Sequence, residues 1–166
     1  YFNKQCPDTM AKAYFINKVL ATTVVGSYPV VKGGGLMSFL DPLRTAVETA
    51  VGDQIAAGID IISDGQVRGD MIGAFASHLP GIRDQEVIGR IQPAAGPITV
   101  ADTKYAISKA PKVKGIITGP TTLAHGLHIS TPMYRNKDEL VPDLAAALLA
   151  EARALEASGI ALLQID

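Results

Sequence analysis

The sequence contains no tryptophan and one cysteine, and aromatic residues make up only 5% of it. A lone Cys6 excludes an intrachain disulfide framework and a cysteine-rich zinc site, and it points to a reducing, cytoplasmic setting. There is no basic block, and 15 basic residues against 16 acidic ones leave a formal charge of -1. That balance gives no electrostatic case for nucleic acid or an anionic membrane as partner. No apolar run approaches the length of a bilayer span. The opening YFNKQCPDTMAKAYFINKVL lacks the basic start and apolar block of a signal peptide. A nucleophile elbow is also missing. The glycine-rich KGGGL (32–36) lacks the Lys-Ser/Thr ending of a phosphate loop and reads as a flexible loop. The first residue is Tyr1 and the last is Asp166, and both ends are expected to be cut.

What is present is enough apolar residue, 48% of 166, for one sizeable core. Four short runs read as buried parallel strands: TTVVG (22–26), IDIIS (59–63), KGIIT (114–118) and IALLQI (160–165). Helical spacing separates them. In PLRTAVETAVGDQIAAG, residues Leu43, Ala46, Val47, Ala50, Val51 and Ile55 share a face, and Gly58 ends the helix. In DELVPDLAAALLAEARALEASG, residues Leu140, Leu144, Ala147, Leu148 and Leu155 form the apolar face, with Gly159 as the stop. Pro142 fits only near the first turn of that helix. QVRGDMIGAFASHLPG is expected to be partly helical, ADTKYAISKA a short helix, and EVIGRIQPAAGPITV (86–100) an inserted hairpin broken at Pro93, Gly96 and Pro97. Four such units fit either a small open doubly wound sheet or half of an eight-stranded barrel.

In both architectures function gathers at the carboxyl ends of the strands. Those ends are Gly26-Ser27-Tyr28-Pro29, the stretch Ser63 to Asp70, Thr118 to Thr122, and Asp166. Any one of them alone is ordinary loop chemistry: a turn, or a cap for the next helix. Four in register favour a shared site. Gly26 and Ser27 offer backbone N–H groups and a hydroxyl to an anion such as a carboxylate. Asp64 and Asp166 suit an ammonium group. Arg68 and Asp70 are expected to pair with each other, and Thr121 and Thr122 to cap a helix. His125 and His128 are too few for a zinc site and have no Glu between them. His78 reads as a packed or surface histidine.

Taken together, TTVVGSYP, IISDGQVRGDMI, KGIITGPTTLA and LLQID resemble, in that order, the catalytic domain of cobalamin-independent methionine synthases. The likeness is greatest to the short, archaeal-type form and runs from about Thr22 to Asp166. The resemblance implies a (β/α)8 TIM barrel. This chain would supply its first four βα units over residues 21–166, with the hairpin inserted in the second unit and residues 1–20 as an N-terminal extension. It further implies methyl transfer to the thiol of homocysteine, with zinc binding that thiol and lowering its pKa. The zinc ligands come from later strands, so no metal-ligating or catalytic residue is assigned in this chain. The homocysteine carboxylate would lie at Gly26 and Ser27. The Asp of the family's QIDEP motif matches Asp166, an acid for the amino group. At the second strand end the long-form enzymes carry a Glu in a His-Gly-Glu-Pro context. Here the sequence is Ser63-Asp64-Gly65-Gln66, and Asp64, offset by one residue, is the nearest substitute.

The resemblance implies a folate or a methylated corrinoid protein as methyl donor, and the short form points to the corrinoid. The missing carboxyl-terminal half would come from a longer polypeptide, a second chain or a dimer, and the chain alone should be inactive. Two other superfamily activities stand beside this one. A porphyrinogen decarboxylase would need arginines near the first strand, where only Lys18, Lys32 and then Arg44 occur. A coenzyme M methyltransferase would bind a sulfonate without an ammonium, which leaves Asp166 without a partner. A non-enzymatic α/β binding module with a complete open sheet is the remaining alternative.

Overall fold

The computed structural model describes residues 20–30 and 41–166. Cys6, Lys18, Lys32 and the KGGGL loop lie outside the described residues. Helix α1 (Arg44–Ala56) leads to a parallel bridge between Thr23 and Ile61. Ile62, the next residue, bridges in parallel to Val113 on its other side. Strand β3 (Lys114–Ile117) pairs in parallel with β5 (Leu162–Ile165), with Lys114 opposite Leu162 and Ile117 opposite Ile165. The four predicted runs therefore lie side by side in chain order, all parallel. A doubly wound sheet reverses its strand order at a switch point, whereas a barrel wall winds on in one direction. The described strands wind on.

The helices cover one face of these strands. Helix α5 (Lys137–Ala157) buries Leu140, Leu144, Ala147, Leu148 and Leu155, the face its spacing predicts. Its amino terminus is capped by the Asn136 side chain, which accepts from Glu139 N–H at 3.0 Å. Pro142 lies beyond the first turn, where it forgoes one intrahelical bond. In α1 the seam is Val47, Ala50, Val51 and Gln54, and Ile55 is 43% exposed rather than buried. Spacing of three and four from Val47 leads to 54, so the polar residue takes the core position. Gln54 Nε2 donates to Ala50 O at 2.8 Å and Ser63 O at 3.0 Å, and its Oε1 accepts from Ser63 N–H at 2.9 Å. This side chain holds α1 to the strand end that precedes Asp64.

The long second connection contains α2 (Gly73–Ala76), strands β1 (Ile82–Arg83) and β2 (Glu86–Val87), and α3 (Val100–Ile107). β1 and β2 form a hairpin over residues 82–87, so it meets the 86–100 segment expected to carry it only at that segment's first two residues. Its two-residue turn, Asp84-Gln85, has φ of 49° and 65° without a glycine, a weak signal in sequence. β2 also pairs in parallel with β4 (His128–Ile129), which follows α4 (Pro120–Gly126). The segment before α3 is fixed by buried Glu151 of α5. Its carboxylate accepts from Ile98 N–H, Thr99 N–H and Thr99 Oγ1, each at 2.8 Å. No described helix is long and apolar enough to cross a membrane.

Gln54→Ala strands the Ser63 N–H and C=O in the core. Urea unfolding should show a loss of about 2–3 kcal/mol. Glu48→Ala, which breaks only the exposed pair with Arg44 on the same helix, should cost at most about 0.5 kcal/mol. Equal losses for the two variants would contradict the role given to Gln54.

Candidate active-site cleft

One open cleft, about 900 Å³ including its mouth, lies at the carboxyl ends of the parallel strands, and Gly26, Ser27, Asp64 and Asp166 all line it. The first strand end is held by the second: Tyr28 N–H donates to Gly65 O at 2.7 Å. Gly65 (φ +87°) lies so close to α1 that a Cβ would stand 2.5 Å from Ala50 Cβ. Only glycine allows that approach, which sets where Ser27 and Asp64 stand relative to each other. The Tyr28 hydroxyl is bonded to the Asp53 side chain of α1.

Asp64 is partly covered, and its Oδ1 accepts from Gln66 N–H at 3.0 Å. Burial pushes its carboxyl up to about 6; the Asp102 charge adds to that rise, and Gln66 N–H and the Arg68 guanidinium oppose it. Asp166 continues β5. Its N–H donates to Ile117 O at 3.0 Å, and its carbonyl accepts from Gly119 N–H at 2.5 Å. A Cβ on Gly119 would stand 2.7 Å from that carbonyl, so this glycine too is required by a close approach. The Asp166 Oδ1 accepts from Gln164 Nε2 at 2.6 Å. Gln164 Oε1 in turn accepts from Lys114 Nζ at 2.6 Å, and the same ammonium donates to Val24 O. Lys114 is 1% exposed. Burial lowers its pKa, and the Asp166 charge works the other way.

Two expected pairings differ. Arg68 does not pair with Asp70. Its guanidinium takes Asp41 in a fork, at 3.0 and 2.7 Å, and reaches Asp102 at 2.8 Å. Asp41 is held below the usual carboxylate range by that guanidinium, and Arg68 is held firmly charged. Asp70 instead accepts from Ile72 and Gly73 N–H at 2.9 and 2.7 Å, which turns the chain into α2 and lowers its own pKa. Thr121 and Thr122 do not cap α4: Gly119 occupies the cap position without a side-chain bond, and both threonines lie inside the helix. Thr118, by contrast, lines the cleft and donates to Met71 O at 2.7 Å.

The cleft also holds Asp102 and His78, which the sequence reading did not group with it, while Arg68 and Thr118 lie within strand-end stretches that it did group. Alternation along β3 (Lys114, Ile116, Thr118 on one face) was the available signal for Thr118. The partners of Arg68 had no such signal, because they lie 27 and 34 residues away. His125 and His128 are exposed, and among the described residues no group of three His, Cys, Asp or Glu is placed to hold a metal ion.

The chain is 42% identical over 170 residues to a methionine synthase of Methanothermobacter thermautotrophicus, covering 89% of this chain and 55% of that protein. It is 42% identical over 162 residues to the methionine synthase of Methanocaldococcus jannaschii, covering 89% of this chain and 52% of that one. The chain thus spans about half the length of these relatives. Its α/β fold is similar to that of the B12-independent methionine synthase from Shewanella sp. W3-18-1, solved in complex with selenomethionine. The two agree with a TM-score of 0.75 at 25% identity over 89% of this chain and 51% of that one. With residues 20–166 matching the cobalamin-independent synthase catalytic domain, the chain belongs to that family.

Proposed function

We propose that this chain carries the amino-acid-binding side of a site that transfers a methyl group to the thiol of homocysteine. The observation that carries the reading is the convergence of Ser27, Asp64 and Asp166 on one cleft. Homocysteine presents an ammonium and a carboxylate on one carbon, with a thiol two methylenes away. Asp166 offers the ammonium a carboxylate with one oxygen occupied by Gln164; its other oxygen has no hydrogen bond to any described residue. Asp64, raised by burial, gains from a cation beside it, because an ammonium stabilises its ionised form. The substrate carboxylate then falls to the Gly26–Ser27 turn, since Arg68 is already engaged by two aspartates. The names of the relatives support methionine synthesis, and the Shewanella protein's complex is with an analogue of methionine.

In this reading residues 21–166 are the first four units of a (β/α)8 barrel, in accord with the half-length match to the relatives. The remaining units come from further polypeptide or a second chain. The family implies zinc, but the described residues do not fit a zinc site. The chemistry that this chain supplies is therefore recognition and orientation of the amino acid. The methyl donor is a folate or a methylated corrinoid protein, and the similarity to archaeal relatives favours the corrinoid.

Calorimetric titration of homocysteine into the intact protein tests this reading. Asp166→Asn should weaken binding about tenfold or more, as expected for loss of a charge-assisted bond. 4-Mercaptobutanoate, which lacks the amino group, should bind wild type and variant alike. Equal effects on both ligands would remove Asp166 from the ammonium site. A second outcome follows from the raised pKa of Asp64. The folded state holds that proton more tightly than the unfolded chain, so stability is lost as pH rises from about 4 through about 6. Asp64→Asn should raise stability at pH 7 by on the order of 1–2 kcal/mol and leave it unchanged near pH 4. It should at the same time weaken homocysteine binding. A variant destabilised equally at both pH values would contradict the burial argument.

A further inference from the structure

The geometry points to Lys114 as a positioning residue that fixes the polarity of the ammonium subsite through Gln164. This rests on the reading of Asp166 given above and adds a residue to it. Lys114 opens β3 on the face that also carries Ile116 and Thr118, both at the cleft. Among the described residues it is one of the most deeply buried side chains, and it pairs directly with no described carboxylate. An ammonium in that place is a costly filler, and an apolar side chain would occupy the space at less expense. Its chemistry explains its presence better than its volume does.

An ammonium only donates hydrogen bonds, whereas a primary amide both donates and accepts. Facing Lys114, Gln164 must present its oxygen, and the 2.6 Å contact joins Lys114 Nζ to Gln164 Oε1. The amide then has only its NH2 group for Asp166, and that contact is also 2.6 Å. Lys114 thereby decides that Asp166 is met by a donor. With the amide reversed, its oxygen would face the carboxylate and the two would repel. The donor steadies one carboxylate oxygen and leaves the other for a substrate cation. The bond from Lys114 to Val24 O ties the same ammonium to the first strand, whose carboxyl end carries Gly26 and Ser27. One buried cation thus orients the acid for the ammonium and braces the turn assigned to the carboxylate.

The test is a double-mutant cycle in the intact protein, read by calorimetry with homocysteine and 4-mercaptobutanoate. Lys114→Met and Gln164→Leu should each weaken homocysteine about tenfold, leave 4-mercaptobutanoate within about twofold, and show no further loss when combined. Lys114→Gln, which can donate or accept, frees the amide to choose, and it serves if Lys114→Met does not fold. It should show the same selective loss. Unchanged homocysteine affinity, equal losses for both ligands, or losses that multiply in the double variant would overturn the proposal. If wild type binds neither thiol, the homocysteine reading fails by itself. The Gln164 side-chain amide resonances then decide the role of Lys114. Resonances protected from exchange in wild type and unprotected in Lys114→Gln uphold it; identical protection in both overturns it.

Discussion

A buried ammonium must find acceptors, and that requirement organises the interior of this chain. Lys114 reaches Val24 O on the first strand and Gln164 on the fourth from its own place on the third. Leaving it unsatisfied would cost several kcal/mol, on the order expected for a stripped buried charge. Lys114 thus ties the third strand to the first and the fourth. At the carboxyl ends of these strands, residues 27, 64 and 166 share one cleft. Two close approaches then set the spacing: Gly65 against α1 and Gly119 against the Asp166 carbonyl.

The acids in and around the cleft divide by task. Asp41 and Asp102 neutralise Arg68 and make with it a fixed brace between loops far apart in sequence. Asp70 is consumed in turning the chain into α2. Asp64 and Asp166 remain, one raised by burial and one supported by a single amide. A site with two acids facing its interior and its arginine already engaged favours a ligand that brings a cation. An amino acid does so, and a sulfonate thiol does not. In the proposed reading this preference comes from residues of this chain and does not depend on which donor supplies the methyl group.

The elements that the sequence displayed clearly were those governed by local periodicity. The α5 stripe from Leu140 to Leu155 is buried as its spacing requires, and the four apolar runs are parallel neighbours. Strand ends followed from the same pattern, which is why Gly26, Ser27, Asp64 and Asp166 could be grouped. What escaped depended on contacts across the chain. Ile55 was placed on the core face, yet Gln54 takes that position, because the Ser63 backbone supplies a buried partner for its amide. Arg68 was matched to its neighbour Asp70, yet its partners come from two distant segments. The hairpin turn uses Asp84 and Gln85 in left-handed conformation, while the more conspicuous Pro and Gly at 93–97 mark an irregular segment. Lys114 was read as part of the buried KGIIT strand, but no local pattern announces that its ammonium reaches Val24 O and Gln164.

The claim beneath all of this is that one small amino acid spans the cleft from the first strand end to the fourth. A crystal structure of the intact protein with homocysteine tests it most directly. The account predicts the amino nitrogen within about 3 Å of an Asp166 carboxylate oxygen, beside Asp64, with the ligand carboxylate at the Gly26–Ser27 turn. Homocysteine seated with its carboxylate against Asp166, or bound outside this cleft, would contradict it.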